Sequence, residues 1–261
     1  MFFAEFARYE YAKSPLIETI CQLRFPEILS IGANAPAAFQ EAVRHDFPRY
    51  EAKEEQLPPK IVRGPNPSVQ PQNPVTNYNF ISQDGLWKLN LTTSFIAIST
   101  RQYRRWEDFA ARLDKPLAAF IEIYQPAFFE RIGLRYVNAF SRKRLNVEDQ
   151  QWDDLFQPAY HGVLGEPDVV ESSVTKHLLN VEMNLSGGYH LKLNAAPGLL
   201  GDAKKDPEVK FILDSDISRS GSTNADEVPE HLEKMHEYAV RVFLGAMTPT
   251  LQTALGATRR E

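Results

Sequence analysis

Between Asn77 and Phe140 the hydrophobic period of the chain changes twice, and that change limits the folds open to it. Two short runs, Asn77–Gln83 and Leu86–Thr92, flank Asp84-Gly85, a dipeptide suited to the positive φ angles of a tight β-hairpin. Phe95–Arg101 reads as a third strand. A helix follows, in which Trp106, Phe109, Leu113, Leu117, Phe120, Ile121 and Tyr124 recur mostly at three- and four-residue intervals and share one face. Pro116 lies inside it and predicts a kink, or two helices meeting end to end. Phe128–Phe140 returns to strand.

The rest of the chain reads in the same way. Leu16–Phe25 alternates, with Ile17, Thr19, Cys21, Leu23 and Phe25 on the drier face, so Cys21 is expected in the core. A helix is expected after Asn34 and Pro36, with Phe39, Ala42, Val43 and Phe47 inward and Pro48 as its stop. Six prolines between Pro58 and Pro74 predict an irregular loop or polyproline-like arm over 57–75. After the basic turn Arg142-Lys143-Arg144, a helix is expected from about Val147 to Tyr160. Strands are expected over Val170–Leu185 and Tyr189–Asn194 around Ser186-Gly187-Gly188, then a loop over Ala195–Pro207 and a strand over Glu208–Ile217. The last helix runs from about Pro229 to Met247, with Val228, Leu232, Met235, Ala239, Val242 and Ala246 inward.

Residues 1–126 and 127–261 thus repeat one order: strand, helix, strands, helix. Their opening strands share a trace of sequence, Glu18-Thr-Ile-Cys-Gln-Leu-Arg-Phe beside Glu130-Arg-Ile-Gly-Leu-Arg-Tyr. The expected fold is α+β: one large antiparallel sheet with about four helices on one face, built from two similar halves fused into one globular unit.

Composition narrows the function. Apolar residues make up 43% of 261, enough for a sizeable core, and a net charge of −5 with pI near 5.8 argues against a general nucleic-acid binder. One cysteine allows neither an internal disulfide nor a cysteine zinc cage. No apolar run approaches the roughly 20 residues of a membrane span. The expectation is a cytoplasmic protein with no membrane attachment.

In order along the chain stand Tyr11-x-x-x-Pro15-Leu16-x-Glu18, Phe47-Pro48-x-Tyr50, Asp84-Gly85-x-Trp87, Tyr103-x-x-Trp106-x-x-Phe109, Gly133-Leu134-Arg135-Tyr136-x-Asn138, and His236 with Phe243. In these the chain resembles a sporadically distributed microbial family of unknown function, about 250 residues long. The resemblance spans nearly the whole chain, and the Tyr-x-x-x-Pro-Leu-x-Glu opening is its most specific part. It implies a prokaryotic or phage origin and a single full-length module. The family has no established catalytic residues, so none is carried over.

The polar sides of the strands are unusual. They present Arg24, Asn77, Asn79, Lys88 and Asn90 from the first half, and Arg131, Arg135, Asn180, Asn184, His190 and Lys192 from the second. Asn is disfavoured in strands, yet with Asn194 six asparagines lie on these faces. Amide and guanidinium groups offer directional hydrogen bonds, so a recognition surface for a protein partner or small ligand is expected. A solvated face, or an ion-pair cluster of Glu18 with Arg24, Arg131 and Arg135, is the plainer alternative.

Two further readings compete with it. Arg101, Tyr103, Arg104 and Arg105, with Arg142, Lys143 and Arg144, mix cations with aromatics as a nucleic-acid binder would. Glu182, Asp214 and Asp216 could converge on a divalent cation for hydrolysis. Walker, Gly-x-Ser-x-Gly and His-Glu-x-x-His motifs are absent, and His231 and His236 sit about 140° apart on a helix. No cofactor is expected. The leading reading is a non-catalytic recognition protein, possible in defence or toxin control, with a homodimer plausible because sheet edges must be covered.

Overall fold

The computed structural model describes residues 2–56, 59–62, 68–70 and 74–260. In chain order the elements are β1 (Tyr9–Tyr11), β2 (Leu16–Arg24), α1 (Leu29–Ala33), α2 (Ala37–Val43), β3 (Arg49–Glu55), β4 (Lys60–Val62) and β5 (Ser68–Gln70). Then come β6 (Val75–Ile81), β7 (Trp87–Leu91), β8 (Phe95–Thr100), α3 (Trp106–Tyr124) and β9 (Phe129–Phe140). The chain continues through α4 (Arg142–Leu145), α5 (Trp152–Leu155), α6 (Pro158–His161), β10 (Leu179–Asn184), β11 (Tyr189–Gly198) and β12 (Lys210–Thr223). It ends with α7 (Val228–Ala246), α8 (Pro249–Ala254) and β13 (Ala257–Arg259). The class is α+β, and nine strands form one antiparallel sheet in the order β10-β11-β12-β9-β2-β8-β7-β6-β3. In each half the first strand, β2 or β9, is followed by an edge strand, β3 or β10, and later strands fill inward until the last lies beside the first.

Contacts divide the chain into two compact units. One comprises residues 20–132 and 221–227. Its core is aromatic: Phe25 lies against Phe120 at 4.7 Å between ring centroids, and Phe39 meets Phe80 edge-on at 5.3 Å. These rings are fully buried, each worth roughly 2 kcal/mol of transfer free energy. Asp84-Gly85 does turn the β6–β7 hairpin, with Gly85 at φ +73°. Gln125, left-handed at φ +46°, closes α3 just before Pro126. The other unit comprises residues 1–19, 133–220 and 228–261. There Phe156 stacks on Phe211 at 3.9 Å, and α7 turns Val228, Leu232, Met235, Ala239, Val242 and Ala246 inward as the periodicity predicts.

Several expectations need correction. The helix expected to reach Tyr160 is two short ones. Gln151 and Asp154 form a reciprocal cap that starts α5 at Trp152, and Phe156 turns extended before Pro158 opens α6. The strand expected from Val170 begins only at Leu179, because a 3-10 turn at Glu171–Ser173 precedes it, where the Ser173 hydroxyl donates to the Val170 carbonyl at 2.7 Å. β11 and β12 run further than expected, to Gly198 and Thr223, so the expected loop over Ala195–Pro207 is shorter. Within the proline-rich stretch, Lys60–Val62 pairs with Ser68–Gln70, since each three-residue run is free of proline. The remainder of that arm, 57–58, 63–67 and 71–73, lies outside the described residues. Among the described residues no helix is long and apolar enough to cross a membrane.

Candidate functional site

In the unit of residues 20–132, the sheet brings three of the expected asparagines together. Asn79 faces Asn90 on β7 and Glu51 on β3, and Asn77 faces Lys53. Asn90 Nδ2 donates to Asn79 Oδ1 at 2.6 Å and to Asn77 Oδ1 at 3.2 Å. Asn79 Nδ2 donates to the Asn77 carbonyl at 3.1 Å, and Asn77 Nδ2 to Glu55 at 2.9 Å. All three side chains are buried. Buried amides need partners, and here they supply one another, with Glu55 accepting from Asn77, which explains how strands tolerate so poor a strand former. These amides are engaged with each other and, through Asn77, with Glu55. Lys88 stands exposed opposite Ile81 and Ser99, Arg24 is exposed at the end of β2, and Arg131 is half-exposed on β9.

The second unit arranges its polar residues in tiers. Strand register places Asn180, Asn194 and Asp214 in one row, Glu182, Lys192 and Asp216 in the next, and Asn184, His190 and Ser218 in a third. A period of two puts all three rows on one face. Arg135 on β9 completes the first row: its Nε and Nη2 each donate to Asp214 at 2.8 Å. Asn180 Nδ2 donates to Asn194 Oδ1 at 2.6 Å, Lys192 lies 3.2 Å from Glu182, and His190 Nδ1 lies 3.1 Å from Asn184 Oδ1. Exposed pairs of this kind add little stability, and their polar groups lie within reach of one another along each row. Arg135, Asn180, Glu182, Asn184 and Lys192 remain exposed.

This register also separates the carboxylates considered for a metal. Lys192 stands between Glu182 and Asp216, and Asp214 is taken by Arg135. Among the described residues no three His, Cys, Asp or Glu side chains gather to hold a metal ion.

The two basic clusters differ. Arg142 is held in place: its guanidinium lies 4.1 Å from the Trp152 ring centroid, Nη1 donates to the Gln150 carbonyl at 2.9 Å and Nη2 to Glu171 at 2.8 Å. Glu171 also accepts the Trp152 backbone N–H, so Arg142 locks α5 to the following loop. Lys143 and Arg144 are exposed on α4, whose start is capped by Ser141. By contrast, residues 101–105 border a cleft lined by Trp87, Gln102, Tyr103, Arg104, Arg105, Asp108 and Phe109, with room of about 160 Å³. Trp87 stacks on Phe109 at 5.8 Å, and Tyr103 lies 6.1 Å from Phe109. Arg105 is tied to Asp108 at 2.8 Å, and Arg101 and Arg104 have no side-chain partner among the described residues. Trp87 joins the cluster because β7 pairs it with Thr100, next to Arg101. Residue spacing alone misses Trp87, although the hairpin register around Asp84-Gly85 contains it.

Cys21 is fully buried, and burial pushes its thiol up to about 12, so it is a core residue with no thiolate chemistry at neutral pH. His231 and His236 serve separate phenols, Tyr189 at 2.8 Å and Tyr136 at 2.9 Å. No protein-family model matches the chain, and searches of curated proteins and of solved structures return no match.

Proposed function

We propose that the chain is a non-catalytic recognition protein that binds a protein partner or ligand on the tiered polar face of β9 to β12. The observation that carries this reading is the tier arrangement itself. Amide, imidazole, ammonium and carboxylate groups are oriented by mutual hydrogen bonds and salt contacts, while their outer edges stay open to solvent. Preoriented donors and acceptors lose little freedom on binding, which favours specific recognition. The motif resemblance supports membership of the sporadic microbial family, and with it a place in defence or toxin control. The single buried cysteine fits a reducing, cytoplasmic setting. The repeated order of elements supports an origin by duplication.

The test is native mass spectrometry of the protein gently purified from its own cells, beside a variant carrying Asn180→Ala, His190→Ala and Lys192→Ala. A bound species, or a second copy, seen with the wild type and lost in the variant supports the reading. Equal retention in both proteins places binding elsewhere and sinks it, as does a bare monomer in both.

A further inference from the structure

We infer that the cleft between Trp87, Tyr103 and Arg104 binds a nucleotide, with the base against the aromatic wall and the phosphate on the guanidinium side. This inference is independent of the polar face of β9 to β12. It starts from size: a cavity of about 150 Å³ takes a benzene ring, and the room here, about 160 Å³ and open on one side, suits one flat base with part of it reaching out of the open side. The wall is aromatic. Trp87 is half-buried and stacked on Phe109, and Tyr103 is half-exposed beside them, so three aromatic side chains line the space. Stacking on such rings is favourable for every base.

The charge is positive where the wall ends. Arg104 is exposed with no partner among the described residues. Arg105 uses its Nε on Asp108, which leaves its outer nitrogens available. Asp108, the carboxylate in the lining, is thereby already compensated. Behind the wall Arg112 lies 5.5 Å over Trp87 and 5.3 Å over Phe47, with its Nε buried and unpartnered among the described residues. A planar guanidinium favours the forked geometry of phosphate oxygens over a point anion. An aliphatic carboxylate would leave the rings unused, and a cation would meet Arg104 and Arg105. A ring carrying a phosphate uses both features.

A free mononucleotide and a base within a single strand present this same chemistry. The full-length protein is therefore titrated calorimetrically with AMP, adenosine, inorganic phosphate and a thymidine oligonucleotide, alongside Arg104→Glu and Tyr103→Ala. Folding of both variants is confirmed by circular dichroism. The expected result is saturable binding of AMP or the oligonucleotide, at least about tenfold tighter than adenosine or phosphate alone, and weakened about tenfold or more in each variant. AMP binding as tight as that of the oligonucleotide identifies a free nucleotide. Much tighter oligonucleotide binding that falls steeply with salt identifies a strand. No saturable binding of either up to on the order of 1 mM, or binding unchanged in both folded variants, overturns the inference.

Discussion

Arg135 and Asp214 meet across β9 and β12 through two parallel N–H···O bonds, both 2.8 Å long. The Asp214 side chain is 15% exposed and that of Arg135 46%, so the carboxylate depends on this partner more than the guanidinium does. Forked charged bonds exceed isolated surface pairs, while the exposure of Arg135 reduces the gain. Arg135→Ala is expected to cost about 1–2 kcal/mol, with Arg135→Lys recovering little because an ammonium cannot form the fork. Urea unfolding of both single alanine variants and the double variant should give a coupling energy of about 1 kcal/mol. Strictly additive losses would show that the pair is only a surface contact.

Asn90 is the donor on which the buried amide cluster turns, since its one NH2 group serves both Asn77 and Asn79. Asn90→Ala strips two buried carbonyl oxygens of a donor at once and is expected to destabilise by about 2 kcal/mol. Asn90→Asp should cost more, because it turns an anion toward those same oxygens. Chemical denaturation at pH 7 distinguishes the two. An Asn90→Asp variant as stable as the wild type would mean that the cluster is open to water or to a ligand.

Gly245 sits in the buried face of α7, where a Cβ would press on the backbone carbonyl of Phe2. That carbonyl accepts the Tyr160 hydroxyl at 2.6 Å, and the Phe2 ring stacks on Tyr160 at 5.0 Å. Helix propensity alone would have Gly245→Ala stabilise by about 1 kcal/mol. The collision is with backbone rather than a movable side chain, so we expect a net loss of about 1–2 kcal/mol and faster amide exchange over residues 2–8. A raised melting temperature would contradict this docking of the N-terminal segment.

How much of this was legible in the sequence depends on which force sets each element. α3 and α7 were visible because burial of one face dictates their apolar spacing, and the β6–β7 turn because only certain residues accept positive φ. β3 escaped notice. Arg49–Glu55 is exposed along its whole length and studded with charge, as suits an edge strand that must not recruit another chain, so no alternation marks it. β1 and β13 carry none either, because three residues are too few for a period. The polar faces were legible as composition, but burial was not. Asn77 and Asn194 look alike in sequence, whereas one is sealed within a network and the other is half-exposed in an open tier. Pairing across strands decides that difference, and pairing is a long-range property. The same holds for Trp87, which reaches the 101–105 cluster only through the β7–β8 register.

His236 gives the chain a specific acid sensitivity. It is half-buried on α7 with Nδ1 2.9 Å from the Tyr136 hydroxyl, and desolvation, aided by the nearby Arg8 charge, lowers its pKa to about 4. In the unfolded chain the imidazole returns to about 6.5. Between those values the unfolded state binds the proton that the folded state refuses, so stability falls as pH drops below about 6.5 and the loss is complete near 4. From pH 7 to pH 5 this group alone should remove about 2 kcal/mol. His236→Gln keeps a polar partner for Tyr136 but cannot titrate, so its stability should change less over that interval by the same amount. Urea unfolding of both proteins at the two pH values measures the difference. Equal pH dependence in wild type and His236→Gln would place the imidazole in contact with solvent, and the acid sensitivity in other groups.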